Sequence, residues 1–289
     1  MTEFSHERYL RAKRTVDDRA IDRRTFDRLR GALSGRESLS IVEIGCGIGT
    51  GFTRLVDWGL FPAGSVVEYV GVDRRPGTVA RAHRHVTSWA EGAGHEVRTD
   101  EDRQVVGTDE RSFSVRFLAD DARSVLDEAT DVDLLVGQAI FDLLDLERAL
   151  SACRSALRSG GLLYAPITFD GLTAFEPAHP LDERLLKRYH ASMDERTGHS
   201  ETGRRLLTAL PTSGMELLAA GGSDWIVFPP YSADEAYFLA HLTEFVRREL
   251  VDADPNPEVE RWVETRRSQI EREELVLVAH NLDVLGRVR

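Results

Sequence analysis

Short apolar segments alternate with amphipathic or mixed segments between residues 39 and 165. This alternation is typical of β-α-β units, which build a parallel sheet. The apolar segments predict strands at residues 39–44, 67–72, 113–118, 132–136 and 161–165. The first, fourth and fifth are almost continuously apolar, as expected of strands that helices cover on both faces. We therefore predict an α/β fold with a doubly wound, mostly parallel sheet.

The segments on either side of this region have other patterns. Residues 4–33 form two charged amphipathic stretches, which predict packing helices before the first strand. Residues 94–112 combine turn residues with short alternating pieces, which predict a polar β-hairpin. The stretch after residue 165 is too long for an ordinary loop. The rest of the sequence predicts a helix at 203–218, a strand at 224–228, helices at 233–251 and 257–273, and a strand at 274–285 that is antiparallel or at an edge.

The chain has 289 residues and a net charge of −12, from 37 Lys and Arg against 49 Asp and Glu. Its length fits one large domain, or one domain with a substantial insert. The surplus of acid repels phosphate backbones, so nucleic acid is not expected as a partner. Apolar runs stay far below the roughly 20 residues of a membrane span and the first residues are too polar for a signal peptide, so we expect a cytoplasmic protein without a membrane span. Cys46 and Cys153 are too few for a disulfide framework or a cysteine zinc site, and we expect no metal.

The most informative stretch is Glu43-Ile44-Gly45-Cys46-Gly47-Ile48-Gly49, where the first strand turns into a helix. Glycines at such a turn let a ligand approach the main chain without meeting a Cβ. The dinucleotide pattern Gly-x-Gly-x-x-Gly fails, because its last position is occupied by Thr50 or Phe52 in the two possible registers. A Walker phosphate loop is excluded because no Gly-Lys-Ser/Thr follows. The spacing acidic-x-Gly-x-Gly-x-Gly resembles the first motif of the class I S-adenosylmethionine-dependent methyltransferases.

Carboxylates at the ends of the second and third strands support this resemblance. Asp73 ends the second strand, and a carboxylate there can accept hydrogen bonds from both hydroxyls of a ribose. By resemblance, an acid after the third strand accepts a hydrogen bond from the adenine amino group; Asp121 is the better match and Asp120 the competing one. Acids at strand ends are also common as caps of the next helix, and for the third strand the two roles are compatible.

The resemblance implies S-adenosylmethionine as cofactor and S-adenosylhomocysteine as product. The main chain of the glycine loop would lie against the methionine part, and an acid at Glu43 suits that cationic ligand. The implied cofactor-binding residues are Glu43, Gly45, Cys46, Gly47, Gly49, Asp73, Arg74, Asp120, Asp121, Ala122 and Gln138.

The fourth strand and its following loop resemble the family's fourth motif, which faces the methyl group. Gln138, Phe141 and Asp142 are therefore pocket candidates. Many relatives that act on small molecules have a pair of histidines near this loop, whereas this chain has Phe141-Asp142, so the substrate stays open. The resemblance covers residues 38–168. The strands at 224–228 and 274–285 fit the family's sixth and reversed seventh strands, which implies a seven-stranded sheet whose last strand is antiparallel.

Ligands of open parallel sheets bind at the carboxyl ends of the strands. The insert at 169–201, the helical insert at 231–273 and the amino-terminal helices can all reach this edge, and we expect them to form a helical lid over the substrate. The expected organisation is an N-terminal helical cap (1–37), a cofactor-binding core (38–168), a lid insert (169–201), and the end of the core (202–289) with its helical insert (231–273).

Methyl transfer needs approach geometry and exclusion of water, and a general base only when the acceptor is protonated. The catalytic candidates are His190, His199 and Asp142, with Asp170 as a further possible base. The aromatic pocket candidates are Phe141, Phe169, Tyr189 and Tyr231, whereas core packing is favoured for Phe175 and Trp225. Tyr9 and Arg14 could reach the cofactor's carboxylate.

These features favour an S-adenosylmethionine-dependent methyltransferase that acts on a small molecule, because an acidic surface and a large helical lid suit an enclosed pocket. Two other functions stay open: a cofactor-binding protein without transfer activity, with a regulatory or assembly role, and a protein methyltransferase. The acceptor, its reacting atom and the oligomeric state stay open as well.

Overall fold

The computed structural model describes residues 5–100, 103–108, 110–251 and 256–289. The helices are α1 (His6–Ala20), α2 (Arg23–Leu33), α3 (Thr50–Asp57), α4 (Pro76–Gly92), α5 (Ala122–Glu128), α6 (Leu146–Ala156), α7 (Asp182–Asp194), α8 (Thr202–Thr212), α9 (Ala233–Leu250) and α10 (Pro257–Glu271). The strands are β1 (Ser38–Ile44), β2 (Val66–Asp73), β3 (Glu96–Asp100), β4 (Arg103–Gly107), β5 (Ser112–Ala119), β6 (Val132–Val136), β7 (Leu157–Glu176), β8 (Met215–Gly222), β9 (Trp225–Val227) and β10 (Val276–Val288).

Ten strands of the described chain form one sheet in the order β3-β4-β5-β2-β1-β6-β7-β10-β8, with β9 paired to β10. The strands β5, β2, β1, β6 and β7 are parallel to their neighbours in this series. Strand β10 runs antiparallel to β7, β8 and β9. The prediction of a doubly wound, mostly parallel α/β fold with an antiparallel last strand is confirmed. The sheet of the described residues has ten strands where seven were predicted, because the hairpin β3-β4 and the short strand β9 extend it.

Helices cover both faces of the parallel part of the sheet. Helices α2, α3 and α4 pack on one face around Phe26, Phe52 and Val86. Helices α5, α6 and α8 pack on the other face around Leu150 and Leu206. This two-sided burial is the reason why the central strands are almost continuously apolar.

The predicted strands of the first half are all present. The segment 132–136 has the predicted bounds, and the predicted hairpin forms β3 and β4, which pair antiparallel. Residues 101 and 102, between these two strands, lie outside the described residues. The fifth strand is much longer than predicted, because β7 continues to Glu176 as a ladder with β10. The first part of the predicted lid insert is therefore β-structure.

The prediction of the sixth strand was right only in part. The segment 224–228 contains a strand that pairs antiparallel with β10, but the longer strand beside β10 is β8, whose first four residues, 215–218, lie within the helix predicted at 203–218. Helix α8 ends at Thr212, and Gly214 takes a left-handed φ of +83° that a helix cannot continue through. The Leu and Ala residues of β8 favour a helix by intrinsic propensity, but pairing with β10 determines their conformation. The predicted strand at 224–228 is the separate short strand β9.

A third core lies beyond the carboxyl end of the parallel sheet. Helices α1, α7, α9 and α10 pack there with the ends of β7, β9 and β10. The largest buried side chain of this core, Trp262, donates a hydrogen bond of 2.7 Å from Nε1 to Asp182 at the start of α7. Helix α9 begins with a capping box between Ser232 and Glu235, which fixes its start. In the part of the chain that the structure describes, no helix has the length and apolar character needed to cross a membrane.

Candidate functional site

The glycine loop after β1 has a main-chain conformation that explains its composition. Gly45, Gly47 and Gly49 have φ angles of +67°, +55° and +79°, in the left-handed region. An L-residue with a side chain loses roughly 1–2 kcal/mol there. The amide of Cys46 donates to Val72 O at 3.0 Å, and the amide of Gly49 donates to Cys46 O at 3.0 Å. The loop is therefore fixed against the end of β2.

Three different parts of the chain surround this loop. A Cβ on Gly45 would lie 3.1 Å from Ile140, which follows β6. A Cβ on Gly47 would lie 3.2 Å from Leu10 of α1. A Cβ on Gly49 would lie 3.1 Å from Phe117 of β5. Helix α1 thus lies over the glycine loop.

Asp73 stands next to this loop at the end of β2. Its Oδ1 accepts a hydrogen bond from the Arg75 amide at 2.9 Å, while its Oδ2 has no hydrogen-bond partner among the described residues. Arg74, which follows it, is exposed. His6 at the start of α1 lies near Arg75 and Asp73.

The Asp120-Asp121 pair lies beside Asp73, because Ala119 of β5 is the register partner of Asp73. The Asp120 amide donates to Asp73 O at 3.2 Å. Asp121 caps α5, with Oδ1 accepting from the Arg123 amide at 2.9 Å, and Ala122 is the first residue of that helix. Both carboxylates are exposed. The structure thus brings the glycine loop and the three predicted carboxylates to one edge of the sheet.

Glu43 lies beneath the loop and not on its open side. Glu43 is 2% exposed, and the phenol of Tyr69 donates a hydrogen bond to its Oε2. A Cβ on Gly51 would overlap its Oε1, so this glycine makes room for the carboxyl group under the first turn of α3. Burial raises the pKa of Glu43 to about 8, against the opposing effect of Arg54. In this position Glu43 supports the loop from below.

Gln138 is held by other side chains of the chain. Its Nε2 donates to Asp17 Oδ2 at 2.7 Å, and its Oε1 accepts from Arg54 Nη1 at 2.6 Å. Asp17 also accepts from Lys13 Nζ at 2.9 Å and from Trp225 Nε1 at 3.0 Å. This buried network links α1 to α3, to the loop after β6 and to β9. Lys13 and Asp17 were not predicted from the sequence, because their only local signal is the spacing of four residues on one helix face.

Asp142 lies on a single 3-10 turn, Phe141–Leu143, that follows β6. Its main-chain oxygen accepts from the His199 amide at 3.0 Å, whereas its Oδ1 is shielded from solvent without a partner among the described residues. Burial raises the pKa of Asp142 to about 6, and Lys13 opposes this shift. Tyr9 and Tyr189 have pKa values raised by burial and further by the charge of Asp142. The three side chains therefore lie near one another.

His190 lies at the outer side of this cluster. Its ring is 5.3 Å from that of Phe169 and 5.5 Å from that of Tyr189, and its Nε2 is 3.1 Å from Thr173 Oγ1. Burial lowers its pKa, so the ring is neutral at pH 7. It also lines a surface groove of about 450 Å³ with Lys187 and Asp194. A second groove, of about 580 Å³ between His179 and α10, contains none of the predicted site residues.

The other predicted residues have contacts elsewhere. Phe141 is fully buried in the core on the α5, α6 and α8 face. The phenol of Tyr231 donates to Leu275 O, near the start of β10.

The remaining candidates are bound to other side chains or packed in a core. His199 Nδ1 lies 3.3 Å from Asp194 and accepts from the Glu201 amide. Asp170 accepts from Arg204, and Arg14 pairs with Asp57 at 3.2 Å. Phe175 and Trp225 pack in the third core, as expected.

Solved structures resemble this chain as a whole, although no protein-family model and no curated protein matches it in sequence. A protein from Bacillus halodurans C-125 that is proposed to be a methyltransferase superimposes with a TM-score of 0.54 at 12% identity, covering 91% of this chain and 97% of that one. The YcgJ protein of Bacillus subtilis superimposes with a TM-score of 0.51 at 14% identity, covering 93% of this chain and 99% of that one. Identities this low show the fold alone.

Proposed function

We propose that this chain, which has the class I methyltransferase fold, is an S-adenosylmethionine-dependent methyltransferase that acts on a small molecule enclosed by α1, α7, α9 and α10. One observation carries the proposal. Three left-handed glycines at the end of β1 lie beside Asp73 and the Asp120-Asp121 pair, at the carboxyl ends of adjacent parallel strands. This edge is where open α/β sheets bind their ligands.

The residues at this edge fit the cofactor chemically. The glycine loop presents main chain without side chains, against which the methionine part can lie. Asp73 Oδ2 has no partner among the described residues and can accept from the ribose hydroxyls. Asp121 or Asp120 can accept from the adenine amino group. When bound, the cofactor supplies an electrophilic methyl group on a sulfonium.

The position of α1 supports an enclosed site. Leu10 lies over Gly47, and the amino-terminal end of α1 is tied to its neighbours by an ion pair of Glu7 with Arg81 at 2.7 Å and by a hydrogen bond from Ser5 N to the Tyr237 phenol at 3.0 Å. An exposed ion pair contributes about 0–1 kcal/mol, so this end of the helix can open readily, whereas the part from Lys13 onward is held by the buried Asp17 network. We propose that the amino-terminal part of α1 opens to admit ligands and closes over them. Closure excludes water, which methyl transfer to a small molecule requires.

The first test measures both the binding of the cofactor product and the transfer of the methyl group. We expect S-adenosylhomocysteine to bind the purified chain in calorimetry, and a labelled methyl group from S-adenosylmethionine to appear in the low-mass fraction of a cell extract. Binding without transfer would favour a cofactor-binding protein. Label in the protein fraction would favour a protein methyltransferase. Absence of binding would contradict the proposal itself.

A second test concerns α1. We expect saturating S-adenosylhomocysteine to slow tryptic cleavage after the exposed Arg11 by about tenfold or more, because a ligand that binds the closed form suppresses opening. Mass spectrometry of the fragments gives the rate at each site. Cleavage after Arg98, exposed in the β3-β4 hairpin at the far edge of the sheet, serves as control and should not change. Equal rates at Arg11 with and without ligand would show that α1 does not cover the site.

A further inference from the structure

One oxygen of the Asp142 side chain lacks a hydrogen-bond donor. Asp142 as a residue is partly buried, but its Oδ1 is shielded from solvent and accepts no hydrogen bond from the described residues. This oxygen has lost its hydration and gained no donor in return, which is unfavourable when the group is charged. The site is thus complete only when another group supplies a donor or a positive charge.

The neighbouring charges do not supply it, because they are already paired with one another. Lys13 Nζ lies 2.9 Å from Asp17, and both side chains are buried. Arg54 Nε pairs with Asp18, and its Nη1 donates to Gln138. Lys13 and Arg54 thus donate to other groups, and neither donates a hydrogen bond to Asp142.

The phenol groups of two tyrosines lie near the Asp142 carboxylate. The phenols of Tyr9 and Tyr189 have no hydrogen-bond partner in the described ranges, and the charge of Asp142 acts on both. The ring of Tyr9 stacks on that of His241 with centroids 4.3 Å apart. Burial lowers the pKa of His241, so this ring adds no positive charge at pH 7. An ammonium group carries several hydrogen-bond donors, which the Asp142 carboxylate and the two phenol oxygens can accept.

We propose that Asp142, with Tyr9 and Tyr189, is the subsite for a protonated amine, and that the methyl acceptor is the nitrogen of this amine. This inference rests on the proposed function. The ammonium group first pairs with the carboxylate and then gives it one proton. The freed nitrogen lone pair forms the bond to the methyl carbon as the carbon-sulfur bond breaks, with its electron pair staying on sulfur. The product is a methylated ammonium ion together with S-adenosylhomocysteine.

The test compares three aromatic probes of similar size and different charge. Benzylamine, benzyl alcohol and benzoate are titrated into the full chain by calorimetry at pH 7.5, with and without saturating S-adenosylhomocysteine. We expect benzylamine to bind about tenfold or more tightly than the other two. Asp142→Asn, which keeps the shape of the side chain, should remove this preference and leave the affinity for benzyl alcohol within about twofold. Tyr189→Phe, which removes one free phenol, should reduce the preference about two- to fivefold.

Asp145→Asn is the matched control, because Asp145 caps α6 three residues away and Asn is an equally good cap. This variant should bind all three probes like the original chain, and thermal unfolding verifies that each variant is folded. Equal binding of the three probes, no binding of benzylamine, or a preference that survives Asp142→Asn would each overturn the subsite. Binding of S-adenosylhomocysteine is measured separately. Its absence counts against the methyltransferase proposal, and its presence without an amine preference counts against the subsite alone.

Discussion

We expect Asp73→Ala to weaken the binding of S-adenosylhomocysteine by about 1–3 kcal/mol, or about 5- to 150-fold, because ligand hydroxyls lose their acceptor in a shielded site. Asp73 ends β2 beside the glycine loop, and its Oδ2 is free of partners among the described residues. Its Oδ1 accepts from the Arg75 amide, so a small loss of stability accompanies the change. Calorimetric titration gives the affinity, and thermal unfolding separates it from the stability effect.

Glu68→Ala is the control for this variant. Glu68 lies on the same strand and is exposed. It stands five residues before the carboxyl end of the strand, away from the edge at which the ligand is expected to bind. It should leave the affinity unchanged. An Asp73→Ala variant that binds S-adenosylhomocysteine as tightly as the original chain would remove Asp73 from the site and leave the glycine loop without its neighbouring acceptor.

The parallel core could be predicted from the sequence because the residue patterns that indicate it lie within short segments of the chain. Burial on both faces makes β1 and β6 continuously apolar, and the left-handed conformations after β1 require glycine. That Asp73 and the Asp120-Asp121 pair lie together follows from strand ends, since the carboxyl ends of parallel strands share one edge, whereas the role expected of the pair came from the family resemblance. A motif that follows a strand and precedes a helix therefore has a known place in the fold.

The rest depends on contacts between distant segments. The residues of β8 favour a helix by propensity and become a strand through pairing with β10, which follows more than fifty residues later. Gln138 and Asp17 are 121 residues apart in the chain, and nothing near either residue indicates their hydrogen bond. Glu43 has the motif's position, but its orientation beneath the loop is set by Tyr69 and Gly51. Sequence patterns predict where a strand ends, and tertiary packing decides which side chains remain free there.

The burial of Glu43 leads to a stability effect that depends on pH. Its pKa rises from 4.5 in the unfolded chain to about 8 in the folded chain, mainly through burial. Between these values the folded state binds more protons than the unfolded state, so the free energy of unfolding falls as the pH rises. The loss begins above pH 4.5 and is complete only above about pH 8, at up to about 1.4 kcal/mol per pH unit.

We expect Glu43→Gln to remove this dependence, because glutamine keeps an acceptor for the Tyr69 phenol and carries no titrating proton. Urea unfolding at pH 5, 6, 7 and 8 gives the free energy of unfolding of both chains. At pH 5 the variant should be about 1 kcal/mol less stable, since its amide lacks an acceptor beneath α3. At pH 8 it should be more stable by about 2–3 kcal/mol, since the original chain must then bury a charge or hold a proton against the solvent. Glu68→Gln, at an exposed position of β2, should follow the original chain at every pH. Parallel curves for Glu43→Gln and the original chain would show that this carboxyl group titrates normally, and the glycine loop would then rest on a solvated charge.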